Sequence, residues 1–367
     1  MALLTQNDLQ VLEHAGHFEE ARSAALDALQ SRDANERCAG AFFLIGNMKF
    51  AFFPQALATV KALKVELTND FAACNMIAFA SWVKDDVELC RWASHRCIAL
   101  NPAAPNTYRI LGMLELGKQR FLEAFFVISA GILNCPKELE GFQVWYKLAK
   151  ALTQGITTVT FRYEGMDFTF RLSTFNGVAM ETACSHILGR FSEQDELNYL
   201  RQFVGRCDSI VEVGAAVGNH TVFFANTLSP KTVDVFDAFG PAVEQIRDNV
   251  SLNCSKPGSA KVTVHHAAVG ATMGQLNIFE HLVPVVRLDE VLKHHVDFIK
   301  IDVDGMEMEV LEGCRGLFVR DRPKMMIEVQ TELKPRFRSF IGEYNYEIEH
   351  EVVRPVDTNF FIKPRAA

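Results

Sequence analysis

The pattern of apolar and polar positions changes near residue 155. Up to about residue 152 no stretch alternates as a strand does, and the apolar positions repeat in helical blocks. Past Gly155, Val159, Phe161 and Tyr163 alternate with polar neighbours. Glu164-Gly165-Met166-Asp167 then supplies a turn, and Phe168, Phe170 and Leu172 alternate again, which predicts a β-hairpin. From Ile210 onward, apolar blocks at 210–213, 232–236, 262–266, 296–301 and 324–329 alternate with helical stretches, the signature of a largely parallel α/β sheet. Blocks at 346–353 and 359–362 are expected to close that sheet as an antiparallel pair. A chain of 367 residues can bury two cores, and two domains are expected, an all-α one over 1–152 and an α/β one over 153–367.

Pro102 and Pro136 stand 34 residues apart in the helical part. Between them Tyr108, Leu111, Gly112, Phe121, Ala124, Gly131 and Ile132 fall where a tetratricopeptide repeat places its packing residues, so the segment resembles such a repeat. Gly16, Phe18, Ala21, Ala25, Ala28 and Leu29 fit the second half of another, and Val87, Cys90, Cys97, Ile98 and Pro102 fit a further one more loosely. Residues 36–70 read as one degenerate helical pair whose Phe42, Phe43, Phe50, Phe52 and Phe53 fill a core or groove. Solenoid repeats present concave surfaces, so this half is expected to hold a protein partner, the carrier of a substrate or a second copy.

Candidate chemistry lies in the second half. Ile210-Val-Glu-Val-Gly-Ala-Ala-Val-Gly-Asn-His-Thr221 reads as a strand running through a glycine turn into a helix. Gly214 and Gly218 bracket only Ala215-Ala216-Val217, so this is not the Gly-x-Gly-x-x-Gly of a dinucleotide site. Asp237 ends the next strand, nineteen residues past Gly218, where an acid can accept hydrogen bonds from both hydroxyls of a ribose. Phe298-Ile-Lys-Ile-Asp-Val-Asp-Gly-Met-Glu307 then puts a lysine and three acids at the end of a buried strand, the edge at which open α/β sheets bind ligands. Lys300 and Asp302 share side-chain parity and can pair. Glu328 ends the Pro323-to-Glu328 strand at the same edge. Thr221 or Asn219 can cap the helix after the turn, and His220 is open to packing or to a site role.

Taken in this order, these segments resemble the FkbM family of S-adenosylmethionine-dependent methyltransferases. The resemblance implies a Rossmann-like class I methyltransferase sheet behind the all-α helical-repeat domain, S-adenosylmethionine as cofactor, and O-methylation of a hydroxyl on a sugar, glycan or polyketide-like acceptor. It implies cofactor contacts from Glu212, Gly214, Gly218, Asn219, Asp237 and the backbone at Ala268. It implies a catalytic set of Asp302, as base or orienting group, with Lys300, Glu328 and His220. Asp302 and Glu328 on adjacent strands also suit a magnesium ion, the weaker alternative, because hard cations take oxygen ligands. The chain departs from the family pattern at Asp237-Ala238 (commonly Glu-Pro), Ala216 (commonly Asn) and Asp304 (commonly Glu). These departures keep a second reading open, an inactive cofactor-binding scaffold whose repeats bind a protein.

A net charge of -8 and a pI near 5.8 argue against a general nucleic-acid or anionic-membrane binder. Nine cysteines, odd in number and without a Cys-x-x-Cys pair, fit free thiols in a reducing cytoplasm. The first residues lack the pattern of a signal peptide, and no apolar stretch is long enough to span a bilayer. The pairs His265-His266 and His294-His295 lack zinc-ligand spacing and read as packing or surface.

Overall fold

The computed structural model describes residues 5–14, 17–46, 58–59, 62, 71–255, 259–278, 281–303, 305–354 and 356–365. Asp304, Gly16, Phe50, Phe52 and Phe53 lie outside these, as do the side chains of Phe18 and Phe42. The chain forms two compact units, Met1–Ile156 and Thr157–Ala367.

The first unit is helical: α1 (Gln6–His14), α2 (Phe18–Ala28), α3 (Ala34–Gly46), α4 (Phe71–Val83), α5 (Val87–Leu100), α6 (Pro105–Gly117), α7 (Phe121–Asn134) and α8 (Leu139–Thr153). Local chemistry sets several boundaries. The Asp86 carboxylate accepts from the Leu89 amide at 3.3 Å and caps α5, while Pro105 opens α6, where its missing N–H costs nothing. Small residues let helices close in. A Cβ on Gly112 would come within 2.8 Å of Ile128, and one on Gly131 within 2.8 Å of Phe142. Glu115, almost fully buried, is held by Arg91 of α5 at 2.7 Å. The unit is a helical array, and its repeat type is not fixed by these contacts.

The second unit opens with the hairpin β1 (Thr158–Tyr163) and β2 (Met166–Arg171), followed by α9 (Gly177–Ile187) and α10 (Gln194–Val204). Then come β3 (Ser209–Val213), α11 (Asn219–Phe223), β4 (Thr232–Asp237), α12 (Gly240–Asn253) and β5 (Lys261–His266). A small sheet of β6 (Ala268–Val269), β7 (Gly274–Ile278) and β8 (His281–Val286) intervenes. It was not legible in the sequence, because β7 is exposed along most of its length and shows no apolar alternation. The chain continues through α13 (Leu288–Val291), β9 (Phe298–Ile301), α14 (Glu307–Glu312), α15 (Arg315–Arg320), β10 (Lys324–Gln330), α16 (Lys334–Glu343), β11 (Tyr346–Val353) and β12 (Asp357–Pro364).

The main sheet has the order β11-β12-β10-β9-β3-β4-β5. The five strands from β10 to β5 are parallel, and β12 runs antiparallel to both β10 and β11. Apolar side chains cover both faces. Ile210 joins Phe298 and Met326 in one core, and Val211 joins Ile299 and Met325 in the other. The chain winds outward from β3 to β5, then returns to β9 on the other side of β3. That reversal opens a crevice beyond the carboxyl ends of β3 and β9.

Candidate functional site

A cleft of about 780 Å³ occupies that crevice. Its floor is the turn after β3. Gly214 has φ of +78°, and a Cβ there would sit 1.7 Å from the Asp302 carbonyl oxygen, so only glycine lets the ends of β3 and β9 approach this closely. Ala216 also has positive φ, at 52°, a conformation that costs an alanine about 1 kcal/mol and that asparagine tolerates better. The Asp237 carboxylate pins the turn. Oδ2 accepts from the amides of Ala215 and Ala216, both at 3.0 Å, and Oδ1 accepts from the Phe239 amide at 2.9 Å. Burial raises the Asp237 carboxyl above its ordinary range, with the three amides opposing.

This geometry narrows the role expected of Asp237. A carboxylate offers about four acceptor sites. Three are taken by backbone, which leaves room for one ribose hydroxyl rather than two.

Lys300 lies at the centre of the cleft wall, 3% exposed. Its Nζ donates to the Gly214 carbonyl at 2.9 Å and to Asp302 Oδ2 at 3.0 Å, and stands 3.8 Å from Glu212 Oε1. Burial opposes its charge, yet Asp302 and Glu212 raise its pKa above the ordinary value. Glu212 is fully buried behind the turn, accepts from Thr221 Oγ1 at 2.5 Å, and has no hydrogen bond on Oε1. Burial pushes its carboxyl up to about 7, against the pull of Lys300.

Beyond Lys300 the cleft is acidic. Glu328 Oε2 accepts from Arg354 Nη1 at 2.8 Å, while Arg354 Nη2 bonds Glu193 and, at 2.5 Å, Glu196. Burial raises the Glu328 carboxyl to about 8, helped by Asp302 and Asp357. His220 is buried on the same wall with Nε2 3.4 Å from Glu193 Oε2 and without a hydrogen bond. Burial, then Lys300, lowers its pKa to about 3, so the ring is neutral.

The cleft brings together Gly214, Asn219, His220, Asp237, Ala268, Lys300, Asp302 and Glu328. Glu212 and Gly218 do not line it. Glu212 sits behind the turn, and Gly218, at φ of +76°, supplies the bend and packs against Ile246 of α12. Asn219 touches the cleft, but its amide is spent on structure: Oδ1 meets His186 Nε2 at 2.9 Å and the Ser192 amide at 3.1 Å, and Nδ2 donates to the Ser192 carbonyl. Asp302 and Glu328 hold Lys300 and Arg354, and among the described residues no three His, Cys, Asp or Glu side chains are placed to hold a metal ion. Sequence reasoning missed Glu193, Arg354 and Asp357, which line the same cleft from segments without a motif. Arg354 carried one weak signal, a lone arginine between the two closing strands.

The segment that builds this cleft is similar to a known family. Residues 192–348 match the family model described as the Methyltransferase FkbM domain. That segment of the α/β unit is similar to an FkbM methyltransferase domain. Domains of this family are S-adenosylmethionine-dependent methyltransferases, and the matched segment spans the glycine turn, Asp237, Lys300, Asp302 and Glu328.

Similar solved structures include a methyltransferase FkbM from Methylobacillus flagellatus KT, at 17% identity and a TM-score of 0.37 over 50% of this chain and 53% of that one. This chain therefore spans little more than half the length of that relative. A ribosomal protein L11 methylase from Lactobacillus delbrueckii subsp. bulgaricus aligns at 12% identity and a TM-score of 0.34, over 47% of this chain and 79% of its own. A magnesium protoporphyrin IX methyltransferase from Synechocystis, solved with bound SAM, aligns at 9% identity and a TM-score of 0.35, over 50% and 84%. No curated protein matches the chain.

Proposed function

We propose that the chain is an S-adenosylmethionine-dependent O-methyltransferase built on a Rossmann-like class I sheet, acting on a hydroxyl of a sugar, glycan or polyketide-like acceptor. One observation carries the reading. The bare glycine turn pinned by Asp237 and the Lys300–Asp302 pair meet in a single cleft at the switch point of the sheet.

The residues fit the cofactor. The backbone of 214–216 would lie along its methionine part, Asp237 would accept one ribose hydroxyl, and the backbone at Ala267 and Ala268 would face the adenine edge. Bound there, the cofactor supplies an electrophilic methyl group. The chain's own residues must align the acceptor hydroxyl and take its proton. Asp302 is suited to both, because its side chain is partly open to the cleft while Lys300 fixes one oxygen. Lys300 cannot itself act as base, since two carboxylates hold it charged. His220 is neutral and can position a hydroxyl, and Glu328, with its raised carboxyl, can exchange a proton near neutral pH. Magnesium is not needed in this scheme. We further read the helical unit as the surface that recruits the acceptor's carrier or a partner protein, and the protein as cytoplasmic. Nine cysteines, none of them in a disulfide, agree with a reducing compartment, and no helix among the described residues is long and apolar enough to cross a membrane.

The test joins calorimetry with S-adenosylmethionine to transfer of labelled methyl into an extract. Wild type should bind the cofactor and label an acceptor. Asp302→Asn should bind it equally and turn over about a hundredfold more slowly. A folded protein without cofactor affinity sinks the reading, and an unchanged rate in Asp302→Asn removes that residue from the chemistry.

A further inference from the structure

The acceptor end of the cleft has an unusual balance of charge and of hydrogen-bonding capacity. Four carboxyl groups line it, Glu193, Asp302, Glu328 and Asp357, against two cations, Lys300 and Arg354. Both cations are already engaged. Arg354 donates to Glu328, Glu193 and Glu196, and Asp357 Oδ1 stands 3.8 Å from it; Lys300 donates to Asp302 and the Gly214 carbonyl. A ligand entering here meets spare acceptors and few spare donors.

An independent observation points to a ligand at this place. His220 is 7% exposed, lines this wall, and leaves Nε2 without a hydrogen bond. A buried polar atom without a partner costs about 1 to 3 kcal/mol, so its persistence here is best explained by a ligand that completes it. The neutral ring adds no positive charge to offset the acids.

An anionic ligand would enter against this field, and a plain polyol would leave its excess charge unmatched. Resting on the methyltransferase reading above, we propose that the acceptor carries an ammonium group in addition to the hydroxyl it presents. This end of the cleft then takes an amino alcohol or amino sugar and rejects phosphorylated or carboxylated compounds. An ammonium brings a unit charge and up to three donors, the complement of what the wall offers. The raised carboxyl of Glu328, which faces Asp302, Asp357, Glu193 and Arg354, agrees with a site that lacks a cation until its ligand arrives.

Three ring compounds of one shape test this: trans-4-aminocyclohexanol, trans-1,4-cyclohexanediol and trans-4-hydroxycyclohexanecarboxylate. Each is titrated by calorimetry into the full chain, with and without saturating S-adenosylhomocysteine. The amine should bind about tenfold or more tightly than the diol, and the carboxylate should bind weakest. Glu328→Gln and Glu193→Gln should each shrink the preference for the amine while leaving S-adenosylhomocysteine affinity unchanged, which also shows that the variants fold. Equal affinities, or no binding of any of the three up to their solubility, overturns the inference. So does magnesium chloride if it binds more tightly and displaces the amine. The two readings fail separately: loss of S-adenosylhomocysteine binding strikes the methyltransferase reading, whereas cofactor binding without amine preference strikes only this one.

Discussion

Replacing Lys300 by methionine tests whether the cleft is organised around a buried charge. The substitution keeps the length of the side chain and removes two hydrogen bonds, of 2.9 Å to Gly214 and 3.0 Å to Asp302, together with the field on Glu212 at 3.8 Å. At an effective dielectric near 20, the attraction between unit charges at that last distance is roughly 4 kcal/mol. Removing one member of a buried pair typically costs about 3 to 5 kcal/mol, because the other is left uncompensated. Glu212 can escape part of that cost by taking a proton, since burial already holds its carboxyl near 7. A carboxyl raised in the folded state binds its proton more tightly there than in the unfolded chain. The associated stability is full below the unfolded value near 4.5 and fades as pH rises through the folded value. Without Lys300 the folded value climbs further, so the loss in Lys300→Met should be largest near pH 8 and smaller near pH 5.5. Urea unfolding at the two pH values measures it. Adding Glu212→Gln should recover at least about 1 kcal/mol at pH 8, because no buried charge then remains on that side. A loss below about 1 kcal/mol at pH 8, or one independent of pH, refutes the idea that Lys300 neutralises Glu212.

Asp237→Ala frees three backbone amides of the glycine turn and should weaken S-adenosylmethionine binding by about 1 to 3 kcal/mol, with a loss of unfolding stability of similar size; undiminished affinity by calorimetry removes Asp237 from the cofactor site. The Glu328 carboxyl is raised to about 8 by burial and by Asp302 and Asp357, so its contribution to stability is present below pH 4.5 and lost as pH rises toward 8. Glu328→Gln should flatten that part of the curve of melting temperature against pH, and an unaltered slope contradicts the assignment. The fragment 157–367 holds all the described cleft-lining residues and its own cores, so it should fold and bind S-adenosylmethionine nearly as well as the full chain while methylating its natural acceptor poorly; insolubility means that the helical unit completes the fold, and full activity on the natural acceptor gives that unit another task.

Much of the architecture was readable because the main sheet is buried on both faces. Strands such as 210–213 and 324–329 needed continuous apolar side chains, and those blocks reappear as β3 and β10 within a residue or so of their expected limits. β9 is shorter than the apolar block that announced it, since Val296 is buried in the approach to the strand rather than in the ladder. Residues 307–320 form two short helices, α14 and α15, rather than one continuous helix. At the joint a Cβ on Gly313 would lie 2.3 Å from the Gly270 carbonyl oxygen, and Asp289 Oδ2 accepts from the Gly316 amide at 3.0 Å. Contacts with distant residues made that break, and local periodicity carries no trace of them.

The candidate site divides along the same line. Gly214, Asp237, Lys300 and Asp302 stand at strand ends, where a charge or a glycine contradicts the apolar run before it, and that contradiction is itself a sequence signal. Glu193, Arg354 and Asp357 lie in polar segments where charges are ordinary; the closing of β12 beside β10 brings Arg354 and Asp357 to Glu328, and Glu193 meets Arg354 from the start of α10. Glu193 and Arg354 are 161 positions apart, so no motif of fixed spacing joins them. The half of the cleft that meets the cofactor is thus written in short motifs, because one strand-turn-helix unit must present its backbone to an invariant molecule. The half assigned to the acceptor is assembled from side chains on separate segments, each replaceable without disturbing the sheet, which is the arrangement that lets one methyltransferase fold serve different acceptors.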